Sequence, residues 1–116
     1  MDAEINPGQD VPVVGSVTGL GGNTLWILSK HEVGGSYYLP AGAAGPSPVA
    51  TKDRPWTVTD EGVGDASDRG GNVVYYPVQA NAECAKTLSA MHHYDSLPKL
   101  PQACTILPSL RSVRIK

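Results

Sequence analysis

NVVYYPVQA, residues 72–80, is the most strand-like run in this 116-residue chain, and its reading decides the fold. Side chains alternate across an extended backbone, so Val74, Tyr76, Val78 and Ala80 share one face while Val73, Tyr75 and Gln79 share the other. Pro77 removes a backbone donor from the middle of the run, which predicts an edge position or a bulge there.

Similar runs recur upstream at residues 11–17 (VPVVGSV), 24–30 (TLWILSK), 36–40 (SYYLP), 48–52 (PVATK) and 56–59 (WTVT), separated by turns of Gly, Pro, Asn and Asp. The 13 glycines and 10 prolines punctuate the chain too often for long helices. Residues 25–28 are apolar on both faces, the mark of a central strand covered on both sides. Pro12 suits an edge strand or a strand start. Residues 24–30 and 36–40 pair as a hairpin across His31-Glu-Val-Gly-Gly. Residues 48–52 and 56–59 read as a second hairpin around Asp53-Arg54-Pro55, and residues 41–47 (AGAAGPS) as a loop. In 56–59, Trp56 and Val58 share the half-buried face.

Residues 81–93 (NAECAKTLSAMHH) change period. Asn81 is a good N-cap, Glu83 lies in the first turn, and Ala82, Ala85, Leu88 and Met91 or His92 mark a stripe, so one short helix is expected near 81–93. Residues 94–102 are an extended connector, and residues 104–107 and 110–115 end the chain as one bent strand or two short ones around Pro108. The fold class that follows is mainly β, an antiparallel β-sandwich of about six to eight strands with one helix; a small barrel is the alternative. Length suits a single domain over 11–116, preceded by a flexible polar leader over 1–10.

Nine basic and 11 acidic residues leave a net charge of −2 with no dense basic window, which disfavours nucleic acid and anionic membranes as partners. The longest apolar runs fall far short of the roughly 20 residues that span a bilayer. The start, MDAEINP, has neither a basic n-region nor an apolar h-region, so no signal peptide is read there. Either the chain is a complete cytosolic protein, or it is the soluble portion of one whose targeting and membrane segments lie elsewhere.

Cys84 and Cys104 are too far apart for a CxxC redox or zinc pair. They are either two buried thiols or, the expectation adopted, a disulfide tying the helix to a later strand. Closing a loop of about 20 residues would add about 3 kcal/mol and imply an oxidising compartment.

Four further features attract chemical readings. The Gly-rich segment 60–68 holds Asp60, Glu61, Asp65 and Asp68; calcium takes six to eight oxygens, but the spacing is not that of an EF-hand, and a solvated turn is the ordinary alternative. Carboxylates facing each other there would suit acid–base chemistry. His92 and His93, beside Tyr94 and Asp95, point about 100° apart on a helix and do not share a ligand site; capping of exposed carbonyls suits them better than metal binding with His31. A nucleophilic Cys84 would need His92 as its base, eight residues away and about 12 Å along the helix. Aromatic residues remain: Trp26, Tyr37, Tyr38, Trp56, Tyr75 and Tyr76 lie on strands, Trp26 and Trp56 fit the core, and within each Tyr-Tyr pair the rings face opposite ways. Tyr38 and Tyr75 are therefore the candidate binding surface, able to stack on sugars or anchor a protein.

The sequence 14–19, LWIL at 25–28, GSYYLP at 35–40, WTVT at 56–59, the Asp/Gly segment, VVYYPV at 73–78 and the short Ala-rich helix resemble Ig-like β-sandwich modules of uncharacterised, often membrane-anchored actinobacterial proteins. The resemblance implies an Ig-like sandwich that follows a transmembrane helix, hence an extracytoplasmic location, and brings no catalytic residues with it. The function expected is a non-catalytic binding or spacer module contacting a protein or envelope glycan, with no catalytic residues, cofactor or metal. A cytosolic adaptor or accessory domain starting at Met1, and a small enzyme using 60–68, are the competing expectations.

Overall fold

The computed structural model describes residues 3–39, 48–91, 96–108 and 111–116, and within them the chain is mainly β. Nine strands form in chain order: β1 (Ala3–Ile5), β2 (Gln9–Val17), β3 (Thr24–His31), β4 (Tyr37–Tyr38), β5 (Arg54–Val63), β6 (Asn72–Ala80), β7 (Ser96–Leu97), β8 (Cys104–Ile106) and β9 (Arg111–Ile115). One α-helix, α1 (Ala82–Ser89), follows β6, and one turn of 3₁₀ helix, η1 (Ala66–Asp68), precedes it. Seven strands make one sheet in the order β1-β9-β6-β3-β4-β7, with β8 also on β6, and β2 and β5 make a second, two-stranded sheet. The result is sandwich-like. Within the described residues no helix is long and apolar enough to cross a membrane.

β6 lies inside the large sheet, paired antiparallel with β3 along its whole length and with β9 and β8 on its other edge. Pro77 is tolerated there because of a break in the neighbouring strand. β9 runs beside Asn72–Tyr75 and β8 beside Val78–Ala80, and Leu107 N–H donates to the Pro77 carbonyl between them at 2.8 Å. The proline's missing donor therefore faces the interruption around Pro108, not a sheet edge.

Both faces of the large sheet are covered. On one, Ile27 of β3 and Val73 and Tyr75 of β6 pack with Val11, Val13 and Val63 of the two-stranded sheet and with Val113 and Ile115. On the other, Trp26, Leu28, Val78 and Ala80 pack beneath Cys84, Leu88 and Met91. β3 thus buries Leu25 to Leu28 on both sides, as its unbroken apolar run predicts.

The helix is shorter than the expected 81–93. Asn81 caps it, its side-chain oxygen accepting the Cys84 N–H at 3.0 Å, and Ala90 ends it. Its inward side chains are Cys84 and Leu88, with Ala82 exposed, and Met91, just past the helix end, is buried beside them. His92, His93, Tyr94 and Asp95 lie outside the described residues, as do the 41–47 loop and Leu110.

Two other expectations are corrected. Ala3–Ile5 is not part of a loose leader: it runs parallel to β9, and Ile5 enters the core because its apolar side chain meets Val11 and Ile115 there. The 48–59 hairpin does not form. Ala50 makes only an isolated bridge to Leu25, and β5 pairs with β2, whose residues lie 37 to 54 positions upstream of their partners. Asp53 turns away from any local hairpin and accepts the N–H groups of Gly19 and Leu20 at 2.9 and 3.0 Å, which holds its carboxyl below the usual range.

Cys84 and Cys104 are joined in a disulfide that fastens the buried side of α1 to β8. Protein denatured without reductant should show no reactive thiol in a colorimetric thiol assay. Replacing both cysteines with Ala should lower the unfolding free energy by about 3 kcal/mol in denaturant titration, the loop-closure value for a span of this length.

Candidate functional site

The two-stranded sheet is smaller than the sheet it covers. Beyond its end, the inner face of β3 and β4 opens onto a depression of about 480 Å³, with Ser29, His31 and Tyr38 on one wall and Asp60, Glu61, Asp65 and Asp68 on the other. The second wall depends on a bulge. Gln9 pairs with Val63 but Val11 with Asp60, so β5 holds one more residue than β2 in this interval. Gly62 takes φ +64° inside it, and its N–H donates to the Asp10 carboxylate at 3.0 Å. The extra residue lets Asp60 and Val63, three apart, both face inward.

Asp60 is buried, which for a carboxylate requires donors nearby. The Tyr75 hydroxyl donates to its Oδ2 at 2.8 Å. Burial chiefly, with the adjacent Asp60 charge and the hydrogen bond to it, pushes the Tyr75 phenol far above its ordinary range. Tyr75 is therefore not a surface residue, contrary to expectation. Only 1% of it is accessible, because the β6 face that carries it is roofed by β2 and β5. Tyr76, on the opposite face, is half-buried and meets Tyr37 edge-on, ring centroids 5.4 Å apart.

Tyr38 does reach solvent, at 39% exposure, on the lip of the depression. Its neighbour Tyr37 points to the other face, where the Lys30 ammonium sits 5.2 Å above its ring. The Tyr37–Tyr38 pair thus splits as alternation predicts, one ring inward and one outward.

The 60–68 segment is more ordered than a solvated turn. Asp60 and Glu61 belong to β5, and Asp65 caps η1, accepting from the Ser67 N–H at 2.8 Å and from the Ser67 hydroxyl, while its own N–H donates to Asp68 Oδ2 at 2.9 Å. The Ser67 donors hold the Asp65 carboxyl below its ordinary value. The wall is pinned to the sheet as well: Gly70 N–H donates to the Ile115 carbonyl, Ile115 N–H to that of Gly71, and the Arg69 guanidinium to that of Lys116. Among the described residues no three His, Cys, Asp or Glu side chains are gathered in a way that could hold a metal ion.

A second cleft, of about 510 Å³, lies between the two-stranded sheet and β6, lined among others by Val14, Trp56, Pro77 and Leu107. Gly15 admits the Trp56 ring there, since a Cβ at that position would stand 2.6 Å from Cζ2. The Trp56 Nε1 is sealed from solvent and has no acceptor. Its polar atom is therefore turned into packing, whereas the Tyr38 depression presents its polar groups to solvent.

Comparison of the chain with protein-family models, with curated proteins and with solved structures finds no match.

Two outcomes follow from the Tyr75–Asp60 bond. Tyr75→Phe leaves the buried carboxylate one donor short and should cost about 1–3 kcal/mol in denaturant titration. In the unfolded chain Tyr75 ionises near pH 10, whereas in the folded chain it stays protonated. The raised folded value means that its contribution is complete below about pH 10 and lost above it, as the unfolded state alone releases the proton. From this residue stability should fall by up to about 1.4 kcal/mol per pH unit above pH 10, and Tyr75→Phe should remove that component.

Proposed function

We propose that this chain is a non-catalytic, extracytoplasmic binding module, Ig-like in layout, that holds an envelope glycan in the depression beneath Tyr38. The observation that carries the reading is the exposed Tyr38 ring at the lip of a concave site whose other wall bears four carboxylates. A sugar ring offers C–H groups to an aromatic face and hydroxyl donors to acceptors such as Glu61 and Asp68; both kinds of partner stand here on opposite walls. A protein partner is served less well. Among the described residues the large exposed apolar side chains, Val14, Val33, Tyr38 and Ile106, stand on three different strands and a turn and form no contiguous apolar patch.

The layout also supports an Ig-like arrangement. The order β9-β6-β3-β4 opposite β2-β5 parallels the G-F-C-C′ sheet over strands B and E of a variable-type sandwich. Two features depart from that pattern: Trp26 of β3 faces α1 instead of the second sheet, and the disulfide joins α1 to β8. A disulfide is compatible with an oxidising compartment, which supports the extracytoplasmic location. Against acid–base catalysis stand the roles of the carboxylates themselves. Asp65 is spent as a cap with a lowered pKa, unsuited to a general acid, and Asp60 receives the Tyr75 phenol.

Purified protein should bind members of an array of neutral, cationic and anionic glycans. Tyr38→Ala should weaken that binding at least about tenfold, or about 1.4 kcal/mol, with no change in melting temperature. Absence of binding across the array, or binding that Tyr38→Ala leaves intact, would reject the glycan site and leave a spacer.

A further inference from the structure

We propose that the depression is one half of a longer trough and that its ligand is the interior of a linear, uncharged glycan; the inference rests on the glycan reading of the Tyr38 half. A second depression, of about 310 Å³, lies past His31 and Asp68, and these two residues line both. With a shared border, the two depressions run on from one another along the η1 wall. Pockets of roughly 300–1,000 Å³ hold drug-sized ligands, so each half suits one or two sugar units.

The far half carries its own fixed polar group. Asn72 Nδ2 donates to Glu32 Oε2 at 2.7 Å, a bond between the start of β6 and the β3–β4 turn. That bond orients the remaining amide N–H and oxygen and the second carboxylate oxygen, which are the donor and acceptors a pair of hydroxyls requires. Beside it Val33, 90% exposed at the tip of the turn, supplies an apolar surface for sugar C–H groups. The two halves thus repeat one chemistry, an apolar contact next to oriented polar atoms, on either side of His31 and Asp68. The intervening wall is held by the η1 capping box and the bonds of 70–71 to Ile115, so little ordering cost is left for binding. A chain that lies across both halves gains contacts with each added unit until it overhangs the trough. The carboxylates along it disfavour uronic-acid or sulfated chains.

Titration calorimetry with chito- and cello-oligosaccharides of one to six units tests this. In at least one series, affinity should rise about tenfold or more from two units to four and then level off. Asn72→Ala and, separately, Val33→Asp at the exposed turn should return four-unit affinity to the two-unit value while leaving two-unit affinity unchanged; a thermal melt shows that each variant is folded. Tyr38-dependent binding that gains nothing beyond two units, or that both variants weaken equally at every length, overturns the second half alone. Failure of both series at all lengths overturns the trough, and the glycan reading falls with it only if the full glycan array is also unbound.

Discussion

The burial of β6 on both faces is the constraint from which the rest of the structure follows. A strand with Val73 and Tyr75 on one side and Val74, Tyr76 and Val78 on the other cannot leave either side in water without forfeiting about 1.5–3 kcal/mol for each large side chain exposed. Two separate roofs meet that demand. The β2–β5 sheet covers the first face and α1 the second, and the disulfide anchors α1 because a helix of eight residues is too short to be stable by itself. The interior position of β6 also explains the break between β8 and β9, which accommodates Pro77.

Much of this was legible in the sequence, and the failures share a physical cause. Period 2 reveals which residues share a face, so the partition of 72–80 and the pairing of Trp56 with Val58 were readable. It does not reveal whether both faces are covered. Residues 25–28 have no polar break and declare their double burial, but Gln79 and the Tyr hydroxyls disguise the same condition in β6, so that Tyr75 reads as a surface residue. A tyrosine can be wholly buried when its hydroxyl finds an acceptor, and that acceptor, Asp60, itself reads from sequence as part of a solvated turn. Each residue looks exposed alone, and the contact between them, 15 residues apart in the chain, places both in the interior.

The missed β2–β5 ladder has a related origin. Asp53-Arg54-Pro55 carries the chemistry of a local turn, yet the Asp53 carboxylate serves the turn at Gly19 and Leu20 instead. Turn residues announce a change of direction without naming the strand that will be met afterwards. The β1–β9 contact is equally non-local: three residues at one end of the chain are ordered only because β9, at the other, offers them a ladder. By contrast the Asn81 cap is a local signal and was legible to the residue.

The site arises where the two sheets stop matching. If the second sheet extended past Val63, it would bury Tyr38 and His31 as it buries Tyr75, and the molecule would have no concave polar surface there. The bulge at Glu61 and Gly62 prevents this: after turning Asp60 inward to meet Tyr75 it redirects the chain into η1, which becomes a wall instead of a roof. Elsewhere the sheets give little to a partner strand. The edges of the large sheet are strands of three and two residues, and both members of the small sheet contain a proline, Pro12 and Pro55, without the N–H that strand addition would use. Recognition by backbone pairing is thereby discouraged, and the means of recognition that remain are side chains held in a groove.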